Sequence, residues 1–159
     1  MQKLSRTVGE RLKAAGAMLV TAESCTGGWV AQALTSVAGS SEWFERGFVT
    51  YSDDAKREVL GVRAETLSQH GAVSEETARE MARGALERSR GTLALAVTGI
   101  AGPGGGSAEK PVGMVCFAWA RKAGELRSET CNLRGDRESV RRQSVVRALQ
   151  GVLEALDAR

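Results

Sequence analysis

The apolar positions of this chain fall into alternating helix-like and strand-like groups. Leu4, Val8 and Leu12 recur every four residues and Gly16 follows, which predicts a short amphipathic helix with a glycine stop. Residues 17–22, led by the run Ala17-Met-Leu-Val20, read as a buried strand. Residues 28–37 read as a helix with Trp29, Val30, Ala33, Leu34 and Val37 at its apolar positions, and Ala38 to Ser41 as a loop. Phe44 to Tyr51 contains the β-rich run Phe48-Val-Thr-Tyr51. Asp53 is placed to cap a helix that runs to about Leu60, with Gly61 as its stop, and a second short helix covers Ala64 to Gln69. Ser74 opens a stronger helix. Glu75 and Glu76 fill its first turn, and Ala78, Met81, Ala82, Ala85 and Leu86 form one apolar face.

Leu93 to Val97 reads as a second buried strand, followed by a glycine-rich loop over residues 99–106. Val112 to Ala120 is a third, in which Gly113 marks a bulge or a close approach. Glu125 to Leu133 is a more polar strand, antiparallel to the third because Lys122-Ala-Gly124 is too short for a crossover. Asp136 then caps a long helix with Val145, Leu149, Val152 and Leu156 inward. Alternating helices and strands, closed by two adjacent strands and a helix, predict an α/β fold. The expected form is a three-layer α/β/α sandwich with a mixed sheet, as a single domain over residues 1–159.

Composition narrows the class. The chain is 42% hydrophobic and 26% charged, the balance of a soluble globular protein. No run of eighteen apolar residues suggests a membrane span, and the N-terminus lacks the apolar centre of a signal peptide. A net charge of +3 does not amount to a nucleic-acid footprint. Cys25, Cys116 and Cys131 are widely spaced and form no metal-binding pattern, which points to a reducing cytoplasm and no metal. The lone His70 stands beside Gly71 at an expected helix end, where a capping role fits it better than catalysis.

Four segments are candidates for chemistry. Thr21-Ala-Glu-Ser-Cys-Thr-Gly-Gly28 joins a strand to a helix through a hydroxyl-rich diglycine turn. Its first-turn N–H groups are expected to face a negative or strongly polar ligand; a plain connecting turn is the alternative. Thr98-Gly-Ile-Ala-Gly-Pro-Gly-Gly-Gly-Ser107 also follows a strand, so the two turns are expected to meet over one crevice. It matches neither a Walker loop, which ends in Lys-Ser/Thr, nor a Rossmann loop, which leads into a helix. In the third segment, Lys56 falls near the third helical position behind Asp53. The helix dipole there favours its neutral form, a general base for a hydroxyl, unless it is simply a solvated surface lysine. The fourth is the basic group Arg134, Arg137, Arg141 and Arg142, readable as an anion contact or as a charged exposed face.

Together these segments resemble the C-terminal-domain family of the competence/damage-inducible protein CinA. The matching stretches are TAESCTGG (21–28), AGSSEWFERGFVTYSDDAK (38–56), HGAVSEETA (70–78), TGIAGPGGG (98–106), KPVG (110–113) and GDRESVRRQ (135–143). They span nearly the whole chain, without the additional N-terminal domain of the longer relatives. The resemblance implies the activity of the stand-alone members: hydrolysis of nicotinamide mononucleotide (NMN) to nicotinate mononucleotide and ammonia, in pyridine-nucleotide salvage. It implies no metal or organic cofactor, and association at least as a homodimer.

Joined to the residue reading, it gives a Ser-Lys mechanism. Ser41 is the expected nucleophile, Lys56 its base, and Tyr51 an aid to the proton path, with Ser24 as the rival nucleophile. Ser24, Thr26, Gly27, Gly28, Thr98, Gly99 and Gly102 are expected to line the nucleotide pocket, and Arg141 to meet the phosphate. The alternatives are a non-enzymatic interaction module related to competence or DNA damage, and an amidase for a related pyridine nucleotide. Retention of Ser24, Ser41, Tyr51, Lys56 and Thr98 together argues against the first.

Overall fold

The computed structural model describes residues 1–158. Helix α1 (Gln2–Ala14) leads into strand β1 (Leu19–Glu23), helix α2 (Trp29–Thr35), a single 3-10 turn (Ser40–Glu42) and strand β2 (Phe44–Val49). Helices α3 (Asp53–Leu60), α4 (Ala64–His70) and α5 (Glu75–Glu87) follow, then strands β3 (Leu93–Gly99), β4 (Met114–Arg121) and β5 (Leu126–Asn132), and helix α6 (Arg137–Asp157). The five strands form one mixed sheet in the order β2-β1-β3-β4-β5. β1 runs parallel to both β2 and β3, and β3, β4 and β5 are antiparallel in turn. The three-layer α/β/α expectation holds.

The two faces of the sheet differ in side-chain size, and the sequence dictates the difference. Along β3 the large residues Leu93, Leu95 and Val97 join Phe117 and Trp119 of β4 on the face covered by α1, α2 and α6. The alternate positions Ala94, Ala96, Ala118 and Ala120 are small, and α5 packs on them through Ala78, Met81, Ala82 and Ala85. A period of two puts bulk on one face and alanine on the other, so α5 approaches the sheet closely. That closeness extends to α3. A Cβ on Gly84 of α5 would lie 1.9 Å from the carbonyl oxygen of Leu60, the last residue of α3. Gly84→Ala is therefore expected to lower the free energy of unfolding by about 2–3 kcal/mol in a urea titration, the scale of overpacking a fitted core.

Local signals at the element ends explain several boundaries. Ser74 and Asp136 cap α5 and α6, accepting from the N–H groups of Thr77 and Ser139. The cap of α3 is Ser52 rather than Asp53: its hydroxyl accepts from the N–H of Ala55. Asp53 is instead the first helical residue, which moves Lys56 one position deeper into the helix than the sequence suggests. β4 begins at Met114, so Gly113 lies just outside it. There φ is +95°, and a Cβ would meet the Leu133 carbonyl at 2.0 Å, the close approach its position in the sequence indicates. His70 ends α4 with Gly71 as the cap, and its Nδ1 lies 3.2 Å from Glu76.

No helix among the described residues is long and apolar enough to cross a membrane. Nor does any group of three or more His, Cys, Asp or Glu side chains among them stand where it would hold a metal ion.

Candidate active site

β1 lies between β2 and β3, and the crossovers β1–β2 and β2–β3 cover opposite faces of the sheet. α2, between β1 and β2, packs on the large-residue face, while α5, between β2 and β3, covers the alanine face. The carboxyl ends of β1 and β3 therefore open into a crevice. The Ser24 N–H donates to the Val97 carbonyl at 3.0 Å, which joins the turn after β1 to β3. A cavity of about 220 Å³ opens there, lined by Ser24, Cys25, Tyr51, Lys56, Ala72, Val73, Thr98, Gly99, Ala101 and Arg137. The two glycine-bearing turns do meet over one crevice.

The chemistry of this cavity centres on Ser24 and Lys56. Lys56 is 1% exposed, and its Nζ lies 2.8 Å from the Ser24 Oγ. The same nitrogen reaches the carbonyl oxygens of Thr50 at 2.9 Å and Tyr51 at 3.1 Å. A carbonyl oxygen only accepts, so the lysine nitrogen is the donor to both carbonyls. A neutral amine that donates its two hydrogens to them keeps its lone pair for the Ser24 hydroxyl. Burial pushes the Lys56 pKa below the ordinary lysine value, against the opposing pull of Asp53 and Cys25. Sequence position suggested a helix-dipole origin for a neutral lysine; in the structure, loss of water around it is the leading cause. Cys25 stands beside Ser24, but burial raises its thiol to about 12, so it remains protonated and a poor nucleophile.

The first turn of α2 holds a partner that the sequence reading missed. The carboxylate of Glu23, fully buried at the end of β1, accepts from the N–H groups of Gly28 (3.2 Å), Val30 (2.9 Å) and Ala31 (3.0 Å). It also accepts from the Thr26 hydroxyl at 2.6 Å. These are the N–H groups expected to meet a negative ligand, and the protein's own carboxylate occupies them. Thr26, Gly27 and Gly28 accordingly shape the turn and do not line the cavity. The signal was present in the sequence: an acidic residue at the end of an apolar strand, directly before the hydroxyl-diglycine turn.

The remaining expected residues divide between the cavity and elsewhere. Thr98 and Gly99 line it, with the Thr98 hydroxyl donating to the Ala72 carbonyl at 2.9 Å. Gly102, with φ at +87°, does not line it but offers its carbonyl to Arg137 Nη1 at 2.7 Å. The Tyr51 side chain is 64% exposed, and its hydroxyl stands 3.5 Å from Arg137 Nη2 at the cavity mouth. Its main-chain carbonyl, not its phenol, contacts Lys56.

Arg141 does not line the cavity. Its Nε and Nη2 donate to the carbonyls of Cys25 (3.1 Å) and Thr26 (3.2 Å), with its guanidinium over the Trp29 ring. Arg137, one of its basic neighbours in sequence, is the arginine at the cavity. Ala72, Val73 and Ala101 also line it, and as apolar residues they carry no chemical signal in a sequence.

Ser41 and Lys56 are not brought together. Ser41 belongs to the exposed 3-10 turn just before β2, whereas Lys56 follows the far end of that strand. The six residues of β2 alone span about 17 Å. The Ser41 hydroxyl has no hydrogen-bond partner among the described residues. The physical reason is that a strand carries its two flanking segments to opposite ends of the sheet, so closeness in sequence becomes separation in space.

Comparison with known proteins agrees with this architecture. The family described as the CinA C-terminal domain matches residues 1–156. The chain is 58% identical over 150 residues to the nicotinamide-nucleotide amidohydrolase PncC of Escherichia coli (strain K12), covering 94% of this chain and 91% of that one. It is 53% identical over 153 residues to the protein of the same name from Enterobacter agglomerans, with 96% and 93% covered. Among solved structures, the competence/damage inducible protein CihA from Agrobacterium tumefaciens superposes with a TM-score of 0.95 at 51% identity, over 99% of this chain and 95% of that one.

Proposed function

The chain belongs to the CinA C-terminal domain family, and on that premise we propose that it hydrolyses the carboxamide of nicotinamide mononucleotide, giving nicotinate mononucleotide and ammonia. The observation that carries the reading is the buried Ser24 Oγ–Lys56 Nζ contact of 2.8 Å, with two carbonyls fixing the lysine hydrogens. The 58% identity to an amidohydrolase of that name supports the substrate.

In this reading Ser24 is the nucleophile. Its Oγ attacks the carboxamide carbon as Lys56 takes the hydroxyl proton, and the carbonyl oxygen becomes an oxyanion. Lys56 returns the proton to the leaving nitrogen, the C–N bond breaks, and ammonia departs. Water then attacks the Ser24 ester, again giving a proton to Lys56, and the acid product leaves as Ser24 recovers its hydrogen. The chemistry needs only side chains and water.

A cavity of about 220 Å³ is smaller than the ~300 Å³ at which pockets for whole small molecules begin. It therefore takes the pyridine carboxamide, and the ribose phosphate lies along the mouth. Arg137 and the Tyr51 phenol stand there to meet it. The working form is a homodimer or higher homo-oligomer in the cytoplasm, acting in pyridine-nucleotide salvage.

Purified protein incubated with NMN is expected to release ammonia and nicotinate mononucleotide in equal amounts. A folded protein that releases neither would overturn the reading. Turnover is expected to rise with pH as Lys56 loses its proton, with the midpoint below the ordinary lysine value of 10.5 because burial disfavours the charged form. A profile flat through that range, with the chemical step limiting, would remove Lys56 from the role of base.

A further inference from the structure

Ser24 needs donors for the oxyanion, and the turn that follows it carries two main-chain N–H groups that donate to no other residue among those described, those of Cys25 and Thr26. Each belongs to a peptide unit whose carbonyl is held on the opposite side. The Ser24 carbonyl accepts from the Gly27 N–H at 3.0 Å, and the Cys25 carbonyl from Arg141 Nε at 3.1 Å. In a planar trans peptide the N–H points away from the C=O of the same unit. A bond that fixes the Ser24 carbonyl therefore fixes the Cys25 N–H, and one that fixes the Cys25 carbonyl fixes the Thr26 N–H. Arg141 Nη2 also holds the Thr26 carbonyl at 3.2 Å, so one planar guanidinium grips two successive peptide units. The N–H of the residue after a nucleophilic serine is a common oxyanion donor on other folds.

We propose that Arg141 is a positioning residue: its grip on the Cys25 and Thr26 carbonyls holds the peptide unit that carries the Gly27 N–H, the Gly27 N–H holds the Ser24 carbonyl, and the Cys25 N–H of that carbonyl's unit is thereby aimed at the tetrahedral oxyanion. This rests on the amidase reading with Ser24 as nucleophile. It gives Arg141 a role different from a phosphate contact, since its Nε and Nη2 are committed to the turn. Arg142 supplies an internal control. Its guanidinium lies over the same Trp29 ring at 5.3 Å, against 5.5 Å for Arg141, but it pairs with Glu138 and does not touch the turn.

The test compares Arg141→Ala, Arg141→Lys and Arg142→Ala in steady-state hydrolysis of NMN, with product inhibition, pH profile and urea unfolding measured for each. Both Arg141 variants are expected to lose about 10- to 100-fold in kcat, with KM and the product-inhibition constant within about twofold. The pH at which turnover rises stays where it is in the wild type, and Arg142→Ala keeps kcat within about threefold. Lysine keeps the charge but lacks the fork, so Arg141→Lys carries the test if Arg141→Ala fails to fold. A rise in KM and in the inhibition constant with kcat kept would make Arg141 a phosphate contact instead. Equal losses in Arg142→Ala, or losses in kcat that only follow the folded fraction, would also overturn the proposal. A wild-type protein that releases no ammonia removes the amidase reading itself, a result separate from any ranking of the variants.

Discussion

Ser24→Ala is expected to reduce ammonia release from NMN by about 10⁴-fold or more, while Ser41→Ala stays within about threefold of wild type. The contrast follows from position. Ser24 shares a buried contact of 2.8 Å with Lys56, and Ser41 lies exposed beyond the other end of β2. Loss of the nucleophile removes the acyl-enzyme route altogether, whereas an exposed hydroxyl with no partner contributes little to either folding or chemistry. The Ser24→Ala protein should remain folded, because the change deletes one oxygen and leaves the turn's backbone bonds in place. Parallel ammonia assays on the two variants decide the matter. Full turnover by Ser24→Ala beside an inactive Ser41→Ala would return the nucleophile to Ser41.

Lys56→Met is expected to match Ser24→Ala in lost turnover, and to differ from it in how stability responds to pH. Methionine fills the buried volume but offers no donor to the Thr50 and Tyr51 carbonyls and no base to Ser24. In the wild type the folded Lys56 holds its proton less tightly than the unfolded chain does. The stability linked to it is complete above the ordinary value of 10.5 and is lost as pH falls through the depressed folded value. Urea midpoints of the wild type should therefore gain on those of Lys56→Met as the pH is raised toward 10.5. Parallel midpoints across that window would mean that the buried lysine pays no proton-linked cost, and would count against its depressed pKa.

The layer architecture was legible in the pattern of apolar residues because each strand and helix had to bury one face. The large residues at Leu93, Leu95 and Val97 and the apolar stripe through Ala78, Met81, Ala82 and Ala85 were enough to place the sheet and a covering helix. The meeting of the turns at Ser24 and Thr98 was legible too, since each stands at the end of a buried strand, and the parallel pairing of β1 with β3 brings those ends side by side. What could not be read was distance across the sheet. Ser41 and Lys56 lie closer in sequence than Ser24 and Lys56, but β2 separates the first pair and the β1–β2 pairing joins the second. Burial was equally hidden: Lys56 stands between the half-buried Ala55 and the exposed Arg57 in α3, and its amine is enclosed by Ser24, Thr50 and Tyr51 from other segments of the chain. The basic group at the start of α6 showed where arginines gather. Which one faces the cavity depends on helix rotation, and that separates Arg137 from Arg141.

The carboxylate of Glu23, held by three main-chain N–H groups and a threonine hydroxyl, gives the turn after β1 its shape without any ligand. A loop that waits for a phosphate to order it spends binding energy on that ordering at each encounter. Here the corresponding counter-charge is covalently built in, so the turn that carries Ser24 is preorganised, and in the proposed reaction substrate affinity goes to aligning the carboxamide.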